Sequence, residues 1–157
     1  IMEVDYFSQV YLTKKVLPYL LAQKSGQIAF VSSIAGLLGT QYRASYSAAK
    51  AAIHMWANSL RAEVAQDGID VAVIFPGFVK TDVSINALNG AGEPQGFDND
   101  VTANGLDVND FAEQVVAALK AKQEYIVVGG LKEKFGVAVS RVSPKILYKM
   151  IRKIKVK

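Results

Sequence analysis

Hydrophobic positions along the chain follow two different patterns, one periodic and one continuous. Apolar residues recur every three or four positions over 1–22, which predicts a helix kinked or locally broken at Pro18. The runs 27–31 and 71–75 are short and continuously apolar, as is typical of strands that are buried on both faces. Between them, 46–66 is rich in alanine and carries an apolar stripe, so we expect a second long helix there.

The second half of the chain continues this alternation. A third helix is predicted over 110–122 and a last strand over 125–128, after which Gly129-Gly130 leads into a basic helical tail at 131–157. The intervening segment 81–109 has little periodicity and many Gly, Pro, Asn and Asp residues, which is typical of a binding loop or lid. Alternating helices and strands predict one α/β domain over 1–157, with a doubly wound parallel sheet between two helical layers.

Composition narrows the class of protein. With 157 residues, 51% hydrophobic and 20% charged, the chain can bury a core of its own. The absence of cysteine excludes disulfides and thiol catalysis and fits a cytoplasmic protein. A single histidine, His54, excludes a His-rich metal site, and packing is its expected role. No apolar run is long enough to cross a bilayer.

The net charge of +4 is concentrated at one end of the chain. From 134 to 157 there are eight Lys or Arg and no Asp or Glu, so the rest of the chain is net acidic and nucleic-acid binding is not expected. The tail also carries apolar residues at helical spacing. We favour a helix that packs on the domain with a solvated basic face; the alternative is peripheral contact with anionic lipid. The apolar residues concerned are Ile146, Leu147, Met150, Ile151 and Ile154.

The candidate chemistry follows the first strand. Ser32 and Ser33 stand at its end, and Tyr46 and Lys50 are four residues apart and so share one face of the next helix. A phenol has a reference pKa of about 10, and a nearby cation favours its ionised form. Tyr46 can then exchange a proton with a carbonyl or alcohol oxygen that Ser33 binds. No side chain accepts a hydride, so redox chemistry requires a cofactor.

Each of these features alone is common in structural contexts, such as a solvated lysine beside a half-buried tyrosine or a serine at a helix cap. Their order and spacing are specific. The motifs VSSIAG (31–36), YSAAK (46–50) and PGFVKTDVS (76–84) make the chain resemble the C-terminal half of a short-chain dehydrogenase/reductase. The segment after Thr81 and the late GG and SP are similar to the branch called dehydrogenase/reductase member seven.

This resemblance implies a Rossmann-type three-layer fold that lacks its N-terminal βαβ half, and an oxidoreductase acting on an alcohol or ketone. It implies Tyr46 as general acid/base, Lys50 as the cation that tunes it and binds the nicotinamide ribose, and Ser33 as the residue that positions the substrate oxygen. The implied cofactor is NADP or NAD, with NADP slightly favoured. The helices at 1–22 and 46–66 would form a homodimer or homotetramer interface. The residues implied to bind cofactor are Ser32, Tyr46, Lys50, Pro76, Gly77, Val79 and Thr81.

Two departures from the family pattern limit what the resemblance implies. Asp5 stands where the family usually has an asparagine that holds a water for proton relay. The family's Gly-rich phosphate loop has no counterpart, because the glycines between Gly90 and Gly96 follow no predicted strand. We therefore expect a partial chain that is marginally stable and aggregation-prone alone. Alternative functions are an inactive structural or dimerisation module and a membrane-surface binding protein.

Overall fold

A three-stranded parallel sheet forms the centre of the computed structural model, which describes residues 1–88, 91–94, 96 and 100–152, with the backbone alone at 100 and 101. The strands β1 (Gly26–Val31), β2 (Ile69–Pro76) and β3 (Tyr125–Val128) lie side by side in chain order. β1 pairs with β2 from Gly26 opposite Ile69 to Val31 opposite Ile74. The three predicted strands and their parallel arrangement are confirmed.

Helices connect and cover these strands. A five-residue π-helix, Glu3–Phe7, leads directly into α1 (Ser8–Gln23), which continues through Pro18 without a break. A short 3-10 helix, Ile34–Gly36, follows β1. The remaining helices are α2 (Ala44–Glu63), α3 (Asp100–Ala103), α4 (Val108–Lys120), α5 (Leu131–Val142) and α6 (Pro144–Ile151). In the described part of the chain, no helix is long and apolar enough to span a membrane.

The central strand β2 is buried on both faces. Val71, Val73 and Phe75 pack on one side in a cluster with residues of α2 such as Ile53. Ala72 and Ile74 pack on the other side, in a cluster that includes Ala118 of α4. Side chains that alternate between two helical layers explain why this run is continuously apolar, and they give the three-layer arrangement that the sequence predicts.

The first strand differs from this prediction. Phe30 is buried against the layer that contains α2, but Ala29 is exposed and Val31 is 49% exposed on the opposite face. Strand β1 is also at the edge of the three-stranded sheet. The expectation that β1 is buried on both faces is therefore wrong for this chain, because α4 covers only β2 and β3.

The apolar stripe predicted for the first helix also lies largely outside the core. Only Val10 and Thr13 of α1 are buried. Tyr11, Leu12 and Tyr19, which share one side of the helix, are 58%, 68% and 75% exposed. The helical periodicity therefore predicted α1 correctly, but it did not identify which side of the helix packs on the sheet.

The C-terminal tail forms two helices. α6 buries Leu147, and its last turn is bonded to the loop before α2, where Gln41 Nε2 donates to the carbonyls of Ile151 and Arg152 at 3.4 and 3.3 Å. Lys145 and Lys149 are exposed. Helix α6 is thus packed on the domain, as we favoured from the sequence, with its lysines exposed. Ile154 lies outside the described residues.

Candidate active site

Lys50 is the residue at which three separate segments meet. It lies on α2 and is only 8% exposed. Its Nζ donates to the backbone carbonyl of Val31 at the end of β1, at 3.1 Å, and forms an ion pair with Asp5 Oδ1 at 2.9 Å. A buried ammonium is stable only where its charge and donors are satisfied, and these two acceptors provide that.

Asp5 reaches this site from the π-helix that precedes α1. Its side chain is 24% exposed and contacts the Lys50 ammonium directly. The sequence placed Asp5 at the position of a family asparagine and left its effect on the proton relay open. In this structure the carboxylate is an ion-pair partner, so part of the positive charge of Lys50 is offset within the site itself.

Tyr46 lies in the first turn of α2 and is half-buried. The Nζ atom of Lys50 lies 5.6 Å from the centroid of the Tyr46 ring. The four-residue spacing therefore brings the phenol and the ammonium together, as the sequence predicted.

The two serines after β1 have different environments. Ser33 is partly exposed and caps the 3-10 helix, where its Oγ accepts a hydrogen bond from the Ala35 backbone N–H at 3.1 Å. Among the described residues no acceptor takes its hydroxyl proton, which is available to an outside acceptor. Ser32 is 2% exposed, and its Oγ donates to the Lys50 carbonyl at 2.8 Å. Ser32 thus fastens the end of β1 to α2 and shows no free hydroxyl surface for a cofactor.

Gly36 is a residue that the functional interpretation of the sequence did not single out. A Cβ placed there would lie 2.7 Å from the backbone carbon of Lys50 and 3.0 Å from the nitrogen of Ala51. Only glycine allows the loop after Ser33 to pass this close to α2. The glycine of the VSSIAG motif was the available signal, and its role is to let the serine loop and the tyrosine helix approach each other.

The segment after β2 lies at the carboxyl end of the sheet, where ligands bind in parallel α/β folds. Pro76 ends the strand, and the Gly77 N–H donates to the Val128 carbonyl at 2.8 Å. A Cβ on Gly77 would lie 3.1 Å from the Cα of Gly129, so two glycines make a close backbone crossing here. Val79 is half-buried and forms a parallel bridge with Leu106, and Thr81 is exposed.

The predicted lid is folded back on itself where it is described. The hydroxyls of Ser84 and Thr102 lie 2.8 Å apart, and both residues are buried. The Gly96 N–H donates to the Ile85 carbonyl at 3.0 Å. Gly90, Gln95 and Phe97, which were part of the lid prediction, lie outside the described residues. The described residues of this segment are thus bonded to one another beside the carboxyl end of β2.

His54 has a packing role, as expected. Its ring packs edge-on against Phe75 with centroids 4.9 Å apart, and Nε2 lies 3.0 Å from Nδ2 of Asn58. Burial is the main cause that lowers the pKa of His54, and the charges of Arg61 and Arg141 lower this pKa further. A neutral imidazole that accepts from Asn58 satisfies this environment. Among the residues described, no His, Asp or Glu cluster suits a metal ion.

Solved structures with the same fold include two short-chain dehydrogenases from Burkholderia. One, from Burkholderia cenocepacia and solved with NADP, has a TM-score of 0.77 at 24% identity and aligns with 96% of this chain and 56% of its own. Another, from Burkholderia phymatum and solved with NAD, has a TM-score of 0.74 at 17% identity, covering all of this chain and 60% of its own. At these identities the likeness shows the fold.

Curated relatives extend the similarity over the whole sequence. A Drosophila melanogaster protein named dehydrogenase/reductase SDR family protein 7-like is 36% identical over 157 residues, which are 100% of this chain and 48% of the relative. The Danio rerio dehydrogenase/reductase SDR family member 7B is 34% identical over 96% of this chain and 49% of its own length. The chain thus spans about half the length of the curated relatives it matches.

The family model described as short chain dehydrogenase matches residues 1–92. That range includes the ion pair of Asp5 with Lys50, both serines after β1, Tyr46 and the Pro76-Gly77 turn. Because the match covers more than half of the chain, the chain belongs to the short chain dehydrogenase family.

Proposed function

We propose that this chain is the catalytic half of an NAD(P)-dependent oxidoreductase that interconverts an alcohol and a ketone. The observation that carries the proposal is the Lys50 ammonium, buried and fixed between Asp5 and Val31, with its charge 5.6 Å from the Tyr46 ring. A phenol beside a fixed cation at the carboxyl end of a parallel sheet is suited to general acid/base chemistry on an oxygen.

In the proposed mechanism, Tyr46 transfers the proton. During ketone reduction its O–H donates to the carbonyl oxygen, and during alcohol oxidation its phenolate accepts the hydroxyl proton. The Lys50 ammonium stabilises the phenolate in both directions by electrostatic attraction. Because α2 carries both side chains one turn apart, the proton donor and the cation share one face of the same helix.

Ser33 orients the substrate oxygen in this proposal. Its Oγ already accepts from the Ala35 N–H, which fixes the direction of the hydroxyl and leaves its proton for a substrate oxygen. The close crossing at Gly36 keeps the serine loop against the backbone of Lys50. Ser33 and Tyr46 are thereby carried by two segments that cannot move apart easily.

The proposed cofactor is NADP or NAD, and it supplies the hydride donor or acceptor. The Lys50 ammonium is suited to bind the ribose of this cofactor. An ammonium has three donors, and among the described residues Lys50 uses two of them, on Asp5 and Val31. The third is available for a ribose hydroxyl. Gly77, Val79 and Thr81 lie on the loop at the carboxyl end of β2, where we propose that the nicotinamide end binds.

The test uses the protein extended upstream to the length of its relatives. Ketone reduction is measured with NADPH and with NADH for wild type, Tyr46→Phe and Tyr42→Phe. Loss of the phenolic proton at Tyr46 is expected to lower kcat by about 100- to 10,000-fold. Tyr42 is a matched control because it is 83% exposed and precedes the same helix, so Tyr42→Phe is expected to behave as wild type.

Folding and cofactor binding are monitored separately, by circular dichroism and by dinucleotide fluorescence. Tyr46→Phe is expected to bind the cofactor with near wild-type affinity and to fail in turnover. Equal turnover of wild type and Tyr46→Phe with a productive ketone would show that the catalytic assignment is wrong.

A further inference from the structure

Helix α5 is apolar on two opposite sides. Its inner side carries Val137, which is buried at 6% exposure within the core cluster. Its outer side carries Leu131, Phe135 and Val142, which are 87%, 61% and 86% exposed. At about 100° per residue these three positions lie within about 40° of one another, so they form one narrow stripe along the helix. We call these three residues the α5 stripe.

The α5 stripe is a set of exposed apolar side chains on one face of one helix. Exposed apolar side chains of this size that share a face are a common mark of an interaction surface. In the described part of the chain, Leu131, Phe135 and Val142 lie outside both core clusters.

Positive charge surrounds this stripe. Over residues 131–152 the only acidic residue is Glu133, whose side chain packs beside the glycines at 77, 129 and 130. On α5, Lys132 lies on one side of the stripe and Lys134 and Arg141 lie on the other, and α6 adds Lys145, Lys149 and Arg152. All six are exposed. An apolar stripe with a basic border matches an anionic bilayer surface, where lysine and arginine meet headgroups and the apolar side chains enter the acyl boundary.

A second copy of this chain fits the surface poorly. In a twofold symmetric contact the same face meets itself, so the six cations of one protomer would face the six cations of the other with one glutamate each. That arrangement is repulsive. A groove of about 380 Å³ lies between α5 and β3. Its lining combines the cations Lys134 and Arg141 with apolar side chains of Tyr125, Val127 and Val142, a combination that also suits a lipid.

We propose that the α5 stripe and its basic border dock this protein on the surface of membranes that contain anionic lipid. The apolar side chains insert shallowly, and the lysines and arginines bind phosphate headgroups. This mode of binding needs no spanning segment. It is independent of the redox function proposed above, since none of the contributing residues belongs to the Ser33–Tyr46–Lys50 site.

Co-sedimentation of the whole protein with vesicles tests the proposal. The vesicles are pure phosphatidylcholine or phosphatidylcholine with phosphatidylglycerol, at low and high salt. Wild type is expected to bind the anionic vesicles at low salt and to dissociate from them at high salt. The variant Leu131→Ser/Phe135→Ser/Val142→Ser is expected to lose at least about tenfold in vesicle affinity, because the inserted apolar area is gone.

Two further variants make the result specific. Val108→Ser/Val116→Ser removes two valines of α4 that are 47% and 48% exposed, and it is expected to bind as wild type does. Lys134→Gln/Lys149→Gln keeps the α5 stripe intact and is expected to weaken binding to anionic vesicles by about tenfold. Circular dichroism verifies that each variant is folded.

Three outcomes would overturn the proposal. The first is that wild type binds neither kind of vesicle. The second is that the triple serine variant binds anionic vesicles as tightly as wild type. The third is that the triple serine variant changes only the molar mass measured by light scattering, which would make this face a protein interface.

Discussion

The charge on Lys50 acts beside a carboxylate rather than alone. Asp5 Oδ1 is 2.9 Å from the ammonium, and the two side chains are 24% and 10% exposed, so the pair is screened by water less than a surface pair would be. From the position of Tyr46, the negative charge of Asp5 offsets part of the attraction that the Lys50 ammonium exerts on a phenolate. Asp5 therefore weakens the electrostatic support for the proposed base while fixing the position of Lys50.

This balance predicts the effect of Asp5→Asn on the proposed enzyme. Asparagine keeps an oxygen that accepts from Lys50 but removes the negative charge, so the Lys50 ammonium attracts the negative charge that develops on Tyr46 more strongly than in wild type. In ketone reduction, where Tyr46 gives up its proton, Asp5→Asn is therefore expected to shift the pH–rate profile to higher kcat. The measurement is the pH–rate profile of ketone reduction by the protein extended to the length of its relatives.

Asp70→Asn is the matched control for this shift. Asp70 also pairs with a lysine, Lys122 at 2.8 Å, but that pair is on the surface, with side chains 40% and 73% exposed. Its removal is expected to leave the profile unchanged. A profile for Asp5→Asn that coincides with wild type would mean that the carboxylate has no influence on the proton-transferring group.

At the level of elements, the site depends on how closely the loop after β1 approaches α2. Gly36 lies against the backbone of Lys50 and Ala51, where a Cβ would come within 2.7–3.0 Å of main-chain atoms. Main-chain atoms in a helix cannot move away without breaking its hydrogen bonds. The spacing between the serine loop and the tyrosine helix is therefore set by the absence of one methyl group.

Gly36→Ala is accordingly expected to lower the free energy of unfolding by about 1–3 kcal/mol, since overpacking at a well-packed contact has costs of this size. Gly39→Ala, three residues along the same loop, has no atom within 4 Å of the new Cβ and is expected to change stability by less than about 0.5 kcal/mol. Urea unfolding of both variants followed by circular dichroism measures the difference. Equal stabilities for the two variants would contradict the close contact at Gly36.

The elements could be predicted from sequence where a local rule determines them. The strand at 125–128 was predicted with its observed bounds, and the spacing of Tyr46 and Lys50 gave their shared face. Helix α4 begins at Val108, two residues before the prediction, because the side chain of Asp107 caps it. Periodicity cannot recognise a cap of this kind unless the preceding residue is examined for one.

Contacts between distant segments could not be predicted from the sequence. The identity of Asp5 was visible, but its direct pairing with Lys50 depends on a π-helix at Glu3–Phe7 that no apolar spacing indicates. Ser32 and Ser33 are adjacent and chemically identical in the sequence. Their separate roles appear only when the end of β1 directs one hydroxyl to the Lys50 carbonyl and leaves the other partly exposed.

At the scale of the whole molecule, burial is uneven across the sheet. β2 has a helical layer on each face, while β1 has a free edge in this sheet and an exposed face that includes Val31. The Drosophila melanogaster relative matches this chain over 48% of its own length. A strand from such an additional segment would find at β1 both unpaired backbone groups and apolar surface. Without that cover, we expect the edge of β1 to promote aggregation.

The exposed side of α1 leads to a proposal about assembly. One side of the helix carries four exposed apolar or aromatic residues, Tyr11, Leu12, Val16 and Tyr19, at 41–75% exposure. This apolar side does not pack in the core. Tyrosine and leucine side chains on a helix side that avoids the core are suited to an isologous contact with a second copy. The exposed Lys15 lies among these residues, but it is one cation per protomer against the six of the basic border around the α5 stripe, so self-association is less opposed by charge.

Leu12→Glu is therefore expected to weaken homodimerisation at least about tenfold, because each protomer would bury a carboxylate near the centre of the contact. Sedimentation equilibrium of the protein extended to the length of its relatives measures the dissociation constant. Val116→Glu places the same charge at a position of α4 that is 48% exposed, and it is expected to leave the constant unchanged. A wild-type protein that remains monomeric at high concentration, or a Leu12→Glu variant that dimerises as wild type does, would rule out α1 as the interface. Helices α1 and α4 pack on opposite faces of the sheet, so one twofold contact is not expected to contain both. Loss of the dimer in both variants would therefore contradict a contact that is specific to α1.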